Sequence, residues 1–302
     1  MTSILSALWI SCRPRQWIKN TFVFLPVLFA KLVFVPGAWL KAAAVFVVFC
    51  VVSSGMYLWN DVMDRTQDRV HPLKRSRPIA SGNLAPATAL AWAVPCVTIS
   101  LGCAFWIQQG LGVIVAMYVV CNLLYTKWLR NVAIVDVFTI AAFFVLRVVG
   151  GLVVLKVSFS YWMLIMTWLL ALFLALNKRR YELVTLARRA PQHRRVLRQY
   201  NPALIDQMCA AITASVLIVY ILFTLDPQEV EKLGSHNLAF SIPFVCYGVF
   251  RYQYLVFMRG RGGDPANILL ADRAMWVNIL LWALVCGAAI YTHREWLPFP
   301  SQ

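Results

Sequence analysis

Three of the chain's 12 acidic residues fall in one stretch, Asn60-Asp61-Val62-Met63-Asp64-Arg65-Thr66-Gln67-Asp68. On a continuous helix Asp61, Asp64 and Asp68 stand at i, i+3 and i+7 and share one face. Like charges at that spacing repel, so the face calls for a cation. Carboxylate oxygens, with the remaining positions left to water and substrate phosphate, are the usual way to hold Mg²⁺. The plainer alternative is a solvated helix end with Arg65 and Arg69 as partners. A basic segment follows at once, His71-Pro72-Leu73-Lys74-Arg75-Ser76-Arg77-Pro78. Membrane topology alone accounts for such cations, but not for an acid triad directly beside them. The pairing suits a Mg²⁺-diphosphate, with acids on the metal and Lys74, Arg75 and Arg77 on the phosphate oxygens. A lone loop histidine such as His71 is more often solvated than catalytic.

A second polar string, Asn177-Lys178-Arg179-Arg180-Tyr181-Glu182, has one acid among three cations. Lysine and arginine bind phosphates directly, arginine in bidentate fashion. Tyr125, Lys127 and Arg130 form a third polar group, just ahead of Asp136 and Arg147. An ionisable residue inside an apolar run is a functional hypothesis by default. The alternative is a structural pair between Asp136 and Arg130 or Arg147. Arg188, Arg189, Arg194, Arg195 and Arg198 have no acid among them. They read as contacts to anionic lipid headgroups.

The elements that must position these groups are apolar helices. Of 302 residues 61 % are apolar and 13 % charged, yet Lys+Arg number 28 and the net charge is +16. A soluble domain carries about 25 % charged residues, so a water-soluble globule is excluded. A disordered basic nucleic-acid binder is excluded too, because disorder needs low hydrophobicity; no nucleic-acid partner is expected. Nine apolar runs, at 20–36, 38–59, 85–106, 111–128, 133–154, 161–177, 205–225, 238–257 and 274–291, predict nine membrane spans. They are continuous rather than alternating, which argues against a barrel. Pro26, Pro95 and Pro243 fall within spans, where neighbouring helices tolerate them.

Most cations fall in 1–19, 60–84, 125–132, 178–204 and 258–273. The alternate connections hold only Lys31, Lys41, Lys156, Lys232 and Arg294. The positive-inside rule then predicts the N-terminus in the cytoplasm and the C-terminus outside. The expectation is one all-α membrane domain over 1–302, with cytoplasmic cap loops at 60–84, 125–132 and 178–204. No cleavable signal pattern precedes the first span. The eight cysteines form no CxxC and read as small apolar residues.

Asn-Asp-x-x-Asp-x-x-x-Asp at the cytoplasmic end of the second span resembles the first aspartate motif of the UbiA-type intramembrane prenyltransferase superfamily. The likeness covers nearly the whole chain. Further strings resemble its phosphoribosyl branch, the decaprenyl-phosphate phosphoribosyltransferases: Arg13-Pro14-Arg15-Gln16-Trp17-Ile18-Lys19-Asn20; His71-Pro72 through Arg77-Pro78-Ile79-Ala80-Ser81-Gly82; Leu146-Arg147 with Gly150-Gly151; and Lys178-Arg179 with Glu182-Leu183. The resemblance implies a central cavity open to the cytoplasm and to lipid, in a bacterial cytoplasmic membrane. It implies Mg²⁺-dependent transfer of 5-phosphoribose from phosphoribosyl diphosphate (PRPP) to a polyprenyl phosphate, for arabinose-containing envelope polymers. Asp61, Asp64 and Asp68 would hold the metal. Lys19, Asn60, Arg69, Lys74, Arg75, Arg77, Tyr125, Lys127, Arg130, Asp136, Arg147, Lys178, Arg179 and Glu182 would meet the substrates. Asp264 and Asp272-Arg273 also resemble family positions.

Ordinary members of the superfamily carry a second aspartate-rich motif after the sixth span. Here that place is the cation-rich 177–182 string, which favours a substrate set with several separate phosphates. Prenyl transfer to an aromatic acceptor is the alternative. A transporter would spread its charges through the membrane and over both faces, unlike this chain. A homo-oligomer is left open.

Overall fold

A computed structural model describes residues 3–70, 74–158, 161–186, 195–233, 236–259, 268 and 271–292. His71, Asp264, Arg188, Arg189 and Arg194 lie outside the described residues, as does the side chain of Arg195. Every regular element among the described residues is helical.

A short helix α1 (Ile4–Cys12) leads into a 3₁₀ arm (Pro14–Phe24) and α2 (Leu25–Phe29). Then come α3 (Pro36–Met63), α4 (Arg65–Val70), α5 (Pro78–Ser81), α6 (Pro86–Ile107) and α7 (Gln109–Lys127). α8 (Val135–Leu155), α9 (Tyr161–Leu186), α10 (Pro202–Leu225), α11 (Pro227–Leu233), α12 (Ile242–Phe257) and α13 (Arg273–Tyr291) complete the chain. Seven of these, α3, α6, α7, α8, α9, α10 and α13, are long and apolar enough to cross a membrane. They match the second to seventh and the ninth of the expected runs.

The expected first and eighth spans are built differently. The 3₁₀ arm runs eleven residues, where runs beyond 3–4 are uncommon. Pro26 explains its end: proline has no N–H to give Phe22, whose carbonyl accepts from Leu25 instead. The eighth run is a 3₁₀ turn (Asn237–Ser241) feeding α12. Pro243 therefore sits in a first turn, where a missing N–H costs nothing. Of the three prolines expected within spans, Pro95 alone is interior to a long helix.

The helices pack in neighbouring pairs, α3 with α6, α6 with α7, α8 with α9 and α9 with α10. α3 and α8 are the most buried of the spanning helices and form the centre. α6 is the least buried and shows Trp92, Ile99, Phe105 and Trp106 outward, as a lipid-facing helix should. Two close approaches fix the inner wall. A Cβ on Gly151 would stand 2.4 Å from the Val23 carbonyl oxygen, and one on Gly150 2.9 Å from the Phe49 ring. Only glycine lets the 3₁₀ arm lie directly against α8.

Candidate active site

The arm, α3, α7, α8, α9, α10, α12 and α13 enclose a cavity of about 1090 Å³. One end is polar and the other apolar. Arg13, Lys19, Asn60, Asp61, Asp64, Lys74, Arg77, Arg130, Lys178 and Glu182 line the polar mouth. Phe22, Phe29, Met166, Leu170, Trp276 and Trp282 are among the apolar lining. Arg147, Tyr118 and Tyr125 also face the cavity.

The acid motif keeps its expected spacing with one interruption. α3 ends at Met63 and Asp64 is its C-cap, yet Asp64 N–H still donates to Asn60 O (2.9 Å) and Asp68 N–H to Asp64 O (2.8 Å). The three carboxylates are therefore delivered to one region, and each is met by cations. Arg77 Nη1 lies 3.0 Å from Asp61 Oδ1 and 2.6 Å from Asp68 Oδ2. Arg13, from the junction of α1 and the arm, also donates to Asp61 Oδ1. Arg130 Nη1 reaches both oxygens of Asp64, at 2.6 and 2.7 Å. Lys74 Nζ is 3.9 Å from Asp68. Asn60 accepts from the Thr126 hydroxyl, which ties α3 to α7. Asp68 is buried outside the cavity lining and reaches it through Arg77.

The 178–182 string fans out. Successive helix positions differ by about 100°, so three neighbouring cations take three directions. Lys178 faces the cavity. Arg179 turns inward, 1 % exposed, and donates from Nε to Asp136 Oδ2 (2.6 Å) and from Nη1 to Glu182 Oε2 (2.6 Å). Arg180 pairs with Asp206 (2.6 Å) and lies over the Phe257 ring. Tyr200 completes the Arg179 cluster: its hydroxyl donates to Asp136 Oδ1 (3.1 Å) and accepts from Ile134 N–H (2.6 Å). Burial, with Asp136 adding to it, pushes the Tyr200 phenol up to about 12, so it stays a donor at neutral pH. That clamp holds Ile134 at φ +68°, a rare conformation for a β-branched residue.

Asp136 and Arg179, expected at the substrate, pair with each other behind the cavity lining, and Arg179 also holds Glu182, which lines it. Arg147 is buried and faces the cavity. Its expected alternative partner, Asp136, is taken by Arg179. Arg147 donates instead to Asn20 Oδ1 (2.6 Å), the Phe143 carbonyl (2.5 Å) and Tyr118 Oη (3.0 Å). Arg69 is exposed and donates to the Ala80 carbonyl (3.1 Å). Arg75 is exposed outside the lining, and Lys127 lies over the Trp128 ring at 4.6 Å. Asp272 caps α13 through Met275 N–H (2.9 Å) and pairs with Arg251.

Residues 23–278 match the UbiA prenyltransferase family. The chain belongs to that family. It is 30 % identical to a decaprenyl-phosphate phosphoribosyltransferase of Mycolicibacterium smegmatis over 96 % of this chain and 94 % of that one. A protein of the same description from Corynebacterium glutamicum is 31 % identical, over 92 % of this chain and 85 % of that one. The fold is similar to that of a UbiA homolog from Archaeoglobus fulgidus bound to GPP and Mg²⁺, with a TM-score of 0.71 and 17 % identity over 94 % of this chain and 99 % of that one. The protein is thus a membrane-embedded transferase of the UbiA family.

A UbiA fold raises the question of a divalent cation. Among the described residues no three Asp, Glu, His or Cys side chains converge closely enough to hold one as they stand. Guanidinium groups occupy the carboxylate oxygens. The donor set itself fits. It is all hard oxygen, as Mg²⁺ requires. Asp61 and Asp68 already face one shared cationic position, that of Arg77 Nη1.

The lining also includes residues absent from the sequence-based set, among them Arg13, Gln16, Tyr57, Tyr118 and Asn122. A signal existed for two of them, Tyr118 and Asn122. Tyr118, Asn122 and Tyr125 stand at i, i+4 and i+7 in an otherwise apolar span, and polar groups at helical spacing in a span point to a cavity. Arg13 gave no separate signal among the cations of the first twenty residues.

Proposed function

We propose that this protein transfers 5-phosphoribose from PRPP to a polyprenyl phosphate. One observation carries the reading: Lys178 lines the cavity at the place where the family resemblance implies a second aspartate-rich motif. The likeness to the two phosphoribosyltransferases supports it. A donor with a diphosphate and a 5-phosphate, plus an acceptor with its own phosphate, offers more anionic groups than one prenyl diphosphate. Lys19, Arg130 and Lys178 provide cations for them.

Asp61, Asp64 and Asp68 would hold Mg²⁺, which would neutralise charge on the departing diphosphate. The rest falls to the chain's own groups. Arg13, Lys74 and Arg77 take the diphosphate oxygens as the bond from ribose C1 breaks and the diphosphate leaves with the electron pair. An oxygen of the lipid phosphate forms the new bond to C1 from the opposite face, with inversion. That phosphate is already an anion at neutral pH and needs no general base. Lys178 and Arg130 position the acceptor phosphate or the 5-phosphate. The apolar half of the cavity takes the first isoprene units.

In this reading the 3₁₀ arm with α2, and the 237–257 segment, also cross the bilayer. That makes nine spans with the N-terminus and the active-site mouth on the cytoplasmic side of a bacterial inner membrane. The test is to incubate membranes with labelled PRPP, Mg²⁺ and polyprenyl phosphate. A labelled lipid that EDTA prevents is expected. Labelled lipid from a prenyl diphosphate and an aromatic acid, with none from PRPP, would establish prenyl transfer instead.

A further inference from the structure

At the mouth four cations, Arg13, Lys74, Arg77 and Arg130, pair with three carboxylates, Asp61, Asp64 and Asp68. A divalent cation that takes Asp61 Oδ1 must displace Arg13 and Arg77 from it. A divalent cation arriving alone would add two charges to a set that already has one cation in excess. A diphosphate arriving alone would compete with the carboxylates for the same guanidinium groups. Arriving together, the two nearly cancel, and the released guanidinium groups gain the diphosphate oxygens.

We propose that Arg13 is an exchange residue: it holds Asp61 until a divalent cation and a diphosphate enter together, then turns to the diphosphate. The geometry suits an exchange. Arg13 sits at φ +53° in the tight link between α1 and the arm, where its N–H donates to Ile10 O (3.1 Å) and its carbonyl accepts from Gln16 N–H (2.8 Å). Its side chain is 28 % exposed and can rotate at the wet edge. Its guanidinium also lies over the Tyr57 ring, 5.0 Å from the centroid. Tyr57 is one helical turn before Asp61 on α3. The cation therefore keeps a favourable contact when it leaves the carboxylate. Arg77 is half of the same device, because one nitrogen bridges Asp61 and Asp68.

The inference rests on the Mg²⁺-diphosphate reading of this mouth but not on the choice of PRPP, because inorganic diphosphate serves as the probe. Mn²⁺ retained by purified detergent-solubilised protein is measured by equilibrium dialysis, with and without inorganic diphosphate. In wild type, diphosphate is expected to tighten Mn²⁺ binding about tenfold or more, a coupling of ordinary allosteric size. In Arg13→Met, Mn²⁺ alone should bind several-fold tighter than in wild type, with the gain from diphosphate reduced. Arg13→Lys should keep part of the coupling. Equal Mn²⁺ affinity with and without diphosphate in wild type overturns the exchange, whatever the variants do. So does an Arg13→Met protein with both affinities unchanged. No Mn²⁺ retained under either condition overturns the exchange and the metal reading together.

Discussion

Two sets of ion pairs in this molecule differ in their exposure to solvent. At the mouth, the side chains of Arg13, Arg77 and Arg130 are 28, 27 and 22 % exposed, and they face the cavity. Behind it, Arg179 and Asp136 are 1 and 0 % exposed and sealed by Tyr200 and Glu182. In the proposed exchange, the exposure of the first set lets a carboxylate partner be traded for a substrate group. No such route exists for the second, since a charge stranded in a dry interior is costly. In the proposed reading the same residue types do two jobs: one set binds substrate, the other holds α8, α9 and the 195–200 segment in place so that Lys178 points at the cavity.

That contrast can be attacked from both sides. The largest effect is expected at the dry pair. Asp136→Ala leaves Arg179 buried without its main partner and should cost about 3–5 kcal/mol of stability, read as a large loss of monodisperse protein on heating in detergent. A variant of wild-type stability would erase the distinction. Next comes the mouth. Asp64→Ala should lower transfer by roughly 10²–10³-fold, the scale for losing one electrostatic contributor to a transition state. Its melting should stay near wild type, because Asp64 is only partly buried. Lys178→Met should cost about tenfold in kcat/KM, the scale of one charge-assisted hydrogen bond. The smallest effect belongs to the cations that face neither region. Arg75→Ala and Lys127→Ala should each change kcat/KM by less than about twofold, as exposed charges usually do. A large loss at either would place substrate phosphate beyond the cavity mouth.

The sequence carried the seven long helices, because each is a continuous apolar run of spanning length. It carried the acid triad and its basic neighbour, because one helix face and one short loop bring them together locally. The directions of Lys178, Arg179 and Arg180 were hidden, because helix phase relative to a cavity is set by packing of distant elements. Asp136 was recognisable as an unusual charge in a span, but its partner lies 43 residues away. The 3₁₀ arm was hidden for a different reason. Hydropathy reports an apolar run without saying how it coils, and the close approach at Gly151 depends on tertiary contact. Arg13 was obscured because a cation before a first span has a sufficient topological reason to be there.

Phosphoribosyl transfer is best tested with purified protein offered two donors in parallel, labelled PRPP with polyprenyl phosphate and a labelled prenyl diphosphate with an aromatic acid. Labelled lipid is expected from PRPP alone, dependent on Mg²⁺ and lost in Asp61→Asn. Product from the prenyl diphosphate, with none from PRPP, would contradict it.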